Sequence, residues 1–355
     1  MVAVSAAHRA PIAPRLLTWY QISGREHLPW RRNITPFRVW VSETMLQQTR
    51  VETVVPYFER FMAAFSSLEA LAGATEDQVL HLWTGLGYYS RARNLHRAAG
   101  ELVAAGVREL PHSLDGLMAL PGIGRSTAGA ILSIACGVRA PILDGNAKRV
   151  LARYHAIPGW PGRSATARAL WSAAEQETPE NRFDEYTQAM MDLGAAVCVR
   201  GNPRCADCPI AVDCAAHQSG QADQFPAPRP RRVVPQVEVH WAVIRDARGA
   251  VLLEQRPQPG IWGGLWTFPQ AASSDALQDA LGATQGELRQ LGRFSHLLTH
   301  RRLDIHVHRL CLADENSLAR LDGQMGGRWY DPLSPPAVGL PAAMRRVLDQ
   351  LQPRD

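Results

Sequence analysis

The chain has 355 residues, 46% hydrophobic and 20% charged, a balance that suits a globular protein with more than one core and excludes a disordered or fibrous one. Its longest apolar run, Ala128 to Val138, is far short of the roughly 20 residues a membrane helix needs, and MVAVSAAHRAPIAPR lacks the apolar stretch of a signal peptide. The net charge of +5 is mild support for a polyanionic partner.

Up to about residue 225 the pattern is helical. Thr35-Pro36 supplies a cap and a first-turn proline for FRVWVSETMLQQ. YFERFMAAF, EDQVLHLWTGLG and NLHRAAGELVAAG carry apolar residues three and four apart, and Asp115 is placed to cap a short helix reaching Leu120. Short turns between such helices predict a bundle. FPAPRPRRVVP then resists both helix and sheet and reads as an extended linker. Beyond it, VEVHWAVIRD, AVLLEQR and RRLDIHVHRL read as strands, and MRRVLDQLQ as a closing helix. The expected organisation is a helical domain over 1–225, a Pro/Arg-rich linker over 226–236 and an α+β domain over 237–355.

The stretch LPGIGRSTAGA (120–130) has the form of a helix–hairpin–helix. Gly122 and Gly124 permit positive φ and leave backbone N–H groups bare beside a helix N-terminus, a combination that grips phosphate without reading base identity. The hairpin, then Pro141 and Asp144, resembles the helix–hairpin–helix DNA glycosylase superfamily with its Gly/Pro-Asp signature. By that resemblance Asp144 faces the sugar of a flipped-out nucleotide and stabilises the positive charge that grows as the base leaves. Read without it, Asp144 is a helix cap for GNAKRV. Bifunctional members of the superfamily carry a lysine where this chain has Ser126, and serine cannot form an imine. Lys148 is the only lysine in the chain, one helical turn past Asp144. A monofunctional glycosylase is expected.

Leu28-Pro29-Trp30-Arg31, Trp40 to Thr49, HLWTGLGYYSRARNLH, ILDGNAKRVLAR and FDEYTQAMMDLGA together resemble MutY-type adenine DNA glycosylases. The resemblance implies excision of adenine opposite 8-oxoguanine or guanine in double-stranded DNA, and with no signal peptide or membrane segment read in the sequence, a monomeric cytoplasmic enzyme held to the nucleoid through DNA is expected. It assigns Glu43 as the acid that protonates the leaving adenine, with Asn146 and Ser126 beside Asp144. Trp30, Arg31 and Gln188 would line the base pocket, and Gln48 and Tyr88 would wedge into the duplex. Leu46 and Thr49 would face the opposite base. The chemistry agrees: adenine leaves poorly as an anion, and two carboxylates in opposed protonation states are the logic of glycoside hydrolysis.

Cys198, Cys205, Cys208 and Cys214 fall within seventeen residues. Spacing alone allows zinc or a 4Fe–4S cluster; the spacing also matches the cluster loop of endonuclease III and its MutY relatives, which implies 4Fe–4S. In the second domain GIWGGLWTFPQ resembles a MutT-like, Nudix-fold module. The following AASSDALQDALG has no glutamate and so none of the acidic helix of Nudix hydrolases. Recognition of 8-oxoguanine is expected instead, at Thr299 and His300 by alignment on Leu303-Asp304-Ile305, with the literal Phe294-Ser295-His296 as the competing position.

Overall fold

The computed structural model describes residues 10–230, 233–282, 286–312 and 327–351. By their contacts the residues form two units, one from Met1–Gly73 with Asn94–Arg231, the other from Ala74–Arg93 with Arg232–Asp355.

The first unit is helical. It holds α1 Ile12–Ser23, a 3-10 turn Pro29–Arg31, α2 Pro36–Leu46, α3 Val51–Ala64 and α4 Leu68–Ala72. After α6 Ser90–Ala104, which starts in the other unit, come α7 Leu114–Met118, α8 Arg125–Ala135, α9 Gly145–Tyr154, α10 Ser164–Glu177, α11 Phe183–Ala196 and α12 Ala215–Gln218. Local chemistry sets the starts. Thr35 accepts from the Arg38 N–H at 3.2 Å with Pro36 in the first turn of α2. At α7 the cap is Ser113, whose Oγ accepts from the Gly116 N–H at 3.2 Å, and the expected cap Asp115 lies one residue inside the helix. A carboxylate there still suits the positive helix end, but Ser113 has the extended backbone a cap needs.

The core of this unit joins Ile12 and Leu16 of α1, Val150 and Leu151 of α9, Leu170 of α10, and Met190 and Leu193 of α11. Two small residues let helices approach closely. A Cβ on Gly129 of α8 would stand 2.3 Å from the Pro141 carbonyl oxygen, and one on Gly194 of α11 would stand 2.5 Å from the Asn146 Cβ. Both contacts seat the segment that carries Asp144.

The second unit contains α5 Glu76–Trp83, which opens on a Thr75/Gln78 capping box, and then β1 Gln236–Val243, β2 Val251–Gln255, β3 Trp266–Thr267 and β4 Gln270–Ala271. It continues through α13 Ser274–Leu281, β5 Gly286–Leu297, β6 Arg302–Leu312, β7 Arg328–Tyr330 and α14 Ala342–Leu351. One sheet has the order β4-β1-β6-β5 and the other β3-β2-β7. Within the first sheet β1 runs parallel to β6, and β5 and β6 form a long antiparallel hairpin. Alternation along β1 sends Val239, Trp241 and Val243 to a core shared with α14, and Ala242 to a smaller one under α13. The mixed architecture is the one expected, a helical domain and an α+β domain. Among the described residues no helix is long and apolar enough to cross a membrane.

Candidate active site

Asp144 is the N-cap of α9. Its Oδ1 accepts from the Ala147 N–H at 2.8 Å and its Oδ2 from the Asn146 N–H at 3.1 Å. Both carboxylate oxygens therefore rest on the N–H groups at the start of a ten-residue helix, which fixes the orientation of the group. The cap reading and a chemical role are compatible, because each oxygen keeps a further lone pair.

Ser126 stands in the first turn of α8 and does not pair with the carboxylate. Its Oγ accepts from the Leu143 N–H at 3.0 Å, so it pins the backbone one residue before Asp144. Asn146 lies two residues past Asp144 in the first turn of α9, and its Oδ1 accepts from Arg149 at 2.8 Å. The same guanidinium donates to the carbonyls of Gly145, Gly194 and Cys198. Arg149 therefore ties the start of α9 to the end of α11 and to the first cysteine, a contact absent from the sequence reading.

Glu43 occupies the middle of α2, between buried Ser42 and buried Thr44. It retains a sliver of accessible surface yet is closely enclosed by protein. Burial, then the like charge of Asp144, push its carboxyl up to about 8, against the opposing pull of Arg31. Asp144, from the start of α9, and Arg31, from the 3-10 turn, thus act on the Glu43 carboxyl in opposite directions.

Arg31 does not project freely. Its guanidinium forks onto Asp192 of α11, with both nitrogens at 2.7 Å from the two oxygens, and approaches the Tyr20 hydroxyl at 3.4 Å. Asp192 has no accessible surface and also takes Arg25 at 2.7 and 2.8 Å. Burial alone would raise this carboxyl; hydrogen bonds and charge from Arg31 and Arg25 outweigh it and hold the group below its ordinary value. Gln188, one turn before Asp192, is buried and accepts from the Tyr20 hydroxyl at 3.3 Å. Trp30 is buried edge-on against Phe58 at 5.6 Å. Sequence reasoning missed Tyr20, Arg25 and Asp192. The available signal was a lone carboxylate in the buried stripe of AMMDLG, where an unpaired charge would be costly.

Gln48 and Tyr88, the expected wedges, both hold positive φ, 60° and 47°. Such backbone is costly outside glycine and collects at functional turns. Both side chains are exposed. Leu46 ends α2 and Thr49 lies in the turn beyond it. In the hairpin, Gly122 has φ 80° and a Cβ there would meet Asn94 at 2.7 Å, whereas a Cβ on Gly124 would meet nothing within 4 Å. Gly122 makes the turn, and Gly124 leaves the α8 N-terminus open.

In the second unit Thr299 and His300 lie exposed in the turn of the β5–β6 hairpin. The Thr299 Oγ1 donates to the Tyr88 hydroxyl at 3.0 Å. Ser295 and His296 are strand residues already engaged: Ser295 bonds Asp304 and Arg302, and His296 packs near Trp262.

The four cysteines line one cavity with Arg153, Arg204 and His217. Burial pushes the Cys208 thiol up to about 12, so any bound metal group would have to displace its proton. Arg153, almost fully buried on α9, donates to the Cys198 Sγ at 3.2 Å and to the carbonyls of Val199, Arg200, Ala222 and Phe225. Among the described residues no three His, Cys, Asp or Glu side chains are arranged to hold a single metal ion.

A family model for base excision DNA repair proteins of the HhH-GPD superfamily matches residues 41–176, and one for the NUDIX domain matches 240–350. The fold of the helical part is similar to that of a thermostable thymine-DNA glycosylase, at TM-score 0.52 and 23% identity over 58% of this chain and 94% of that one. An adenine DNA glycosylase from Homo sapiens is 32% identical, covering 94% of this chain and 72% of its own length. One from Buchnera aphidicola subsp. Baizongia pistaciae is 33% identical over 341 residues, 95% of each chain. A likeness of that extent, running through both units, makes this chain a member of the adenine DNA glycosylase family.

Proposed function

We propose that the chain excises adenine opposite 8-oxoguanine, and also opposite guanine, by hydrolysing the N-glycosidic bond without cutting the strand. The observation that carries this reading is Glu43, held protonated toward pH 8 beside the capped carboxylate Asp144. Glu43 gives its proton to the departing adenine, and Asp144 stabilises the oxocarbenium ion or bonds to it transiently before water attacks. Trp30, Arg31 and Gln188 hold the extruded base. Gln48 and Tyr88 fill the gap it leaves, with Leu46 and Thr49 toward the opposite base. Thr299 and His300 read the 8-oxoguanine, and Gly122 and Gly124 hold backbone phosphate.

Base removal alone is supported by Ser126, whose hydroxyl cannot form an imine and accepts from the Leu143 N–H, and by Lys148 being the only lysine in the sequence. The glycosylase domain spans 1–225, the linker 226–236 and the 8-oxoguanine domain 237–355; the protein works as a cytoplasmic monomer on duplex DNA.

Cys198, Cys205, Cys208 and Cys214 suit a 4Fe–4S cluster, since four thiol donors surround one cavity with Arg153 set to balance thiolate charge. A bound cluster would cross-link this loop, and base release needs no electron from it. Iron and acid-labile sulfide should each approach four per chain, roughly as that cluster type requires; zinc in their place overturns the assignment.

Duplexes with A opposite 8-oxoguanine, G, C or T test the reaction. Abasic sites are expected opposite the first two, revealed as breaks only after alkali. Breaks without alkali, with a protein–DNA adduct trapped by borohydride, would mean lyase chemistry instead.

A further inference from the structure

Arg31, one of the two arginines paired with Asp192, is almost wholly enclosed and lowers the Glu43 carboxyl, and as an uncompensated cation it would strip the proton that Glu43 has to keep. We propose that Asp192 is a positioning residue of the base-release site: it seizes Arg31 in a two-point fork, with Arg25 as its second partner, so that Arg31 is kept from Glu43 and is aligned through Tyr20 with Gln188. The inference rests on the reading that Glu43 and Gln188 act on the extruded base.

Three observations carry it. Asp192 has no accessible surface and receives five hydrogen bonds, from the Arg25 N–H, Arg25 Nε and Nη2, and both Arg31 Nη atoms, at 2.7 to 3.0 Å. A carboxylate so saturated holds both guanidiniums in one geometry. Second, hydrogen-bond direction along the chain Arg31, Tyr20, Gln188 is forced. Arginine only donates, so the Tyr20 oxygen accepts from Arg31 at 3.4 Å and its proton goes to Gln188 Oε1 at 3.3 Å. The amide nitrogen of Gln188 is then the group left for a base, and it offers donors to the acceptor nitrogens of adenine. Third, the charges on every side are few. Glu43 faces Asp144 from α9 and Arg31 from the 3-10 turn, while Tyr20 also senses Glu26 and Glu185. Among the described residues Arg31 is the cation that acts on Glu43, so the partner of Arg31 decides the balance.

The test is the pH dependence of single-turnover adenine release, with thermal melting run in parallel. Asp192→Asn leaves Arg31 unmatched, and the alkaline limb set by Glu43 should move down by about one pH unit, with the rate recovering in acid. Arg31→Gln keeps Asp192 paired with Arg25 and should move the limb up. Joining both substitutions should return the limb to or above its wild-type position. A purely structural role lowers the rate alike at all pH values. If Asp192→Asn does not fold, the Arg31→Gln shift and the double variant still decide. Limbs unmoved in the folded variants overturn the inference. Should Glu43→Gln retain wild-type release, the reading beneath it fails instead, which separates the two outcomes.

Discussion

Glu43→Gln is expected to cut single-turnover adenine release by about 10³-fold and, at the same time, to raise the melting temperature at pH 8. Both effects come from one property. A carboxyl raised to about 8 is an acid at neutral pH, and its loss removes the proton the leaving base requires. The same upward shift is a stability cost. In the unfolded chain Glu43 ionises near its ordinary value; in the folded chain it holds its proton until about pH 8. Stability linked to this group is therefore full below the ordinary glutamate range and is lost progressively as pH rises to about 8. Glutamine does not titrate, so the melting temperatures of variant and wild type should diverge between those limits and run parallel above them. Equal activity in the variant refutes the acid; a melting difference independent of pH refutes its raised affinity for protons.

Much of this was legible in the sequence because short-range chemistry sets it. The cap at Thr35, the hairpin at Gly122 and the cap at Asp144 are each fixed by residues within a few positions, and all three stand as their spacing suggests. The helical first domain and the α+β second followed from periodicity. What stayed hidden depends on partners far along the chain. Ser126 reads as a neighbour of the Asp144 carboxylate, yet its oxygen is taken by the Leu143 N–H, seventeen positions away. Arg31 reads as a free base contact, yet Asp192 lies 161 positions on and claims both its arms. Arg149 and Arg153 sit in an ordinary amphipathic pattern, and nothing local says that they reach the cysteine loop. The β5–β6 hairpin separates the two candidate strings in space. Phe294-Ser295-His296 falls in β5, while the less similar Leu298-Thr299-His300 reaches the turn, where the backbone leaves the ladder.

Asp144→Asn separates the two tasks of that residue. As a helix cap, asparagine serves nearly as well as aspartate: Oδ1 can still accept from the Ala147 N–H, now bonded at 2.8 Å. The melting temperature should move by no more than about 2 °C, as a loss of a few tenths of a kcal/mol implies for a domain of this size. Asp144→Ala removes both bonds and should cost about 1 kcal/mol. Activity should not follow that order. The amide carries no charge, so the positive charge developing on the sugar loses its counterpart, and release should fall by about 10² to 10³-fold in both variants. A second consequence follows from the pairing with Glu43. Asp144 is one of the causes that raise the Glu43 carboxyl, so removing its charge should move the residual alkaline limb down. If Asp144→Asn instead kept near wild-type release while Asp144→Ala lost stability, the residue would be a cap alone. The charge facing the sugar would then have to be sought elsewhere on α9 or α11.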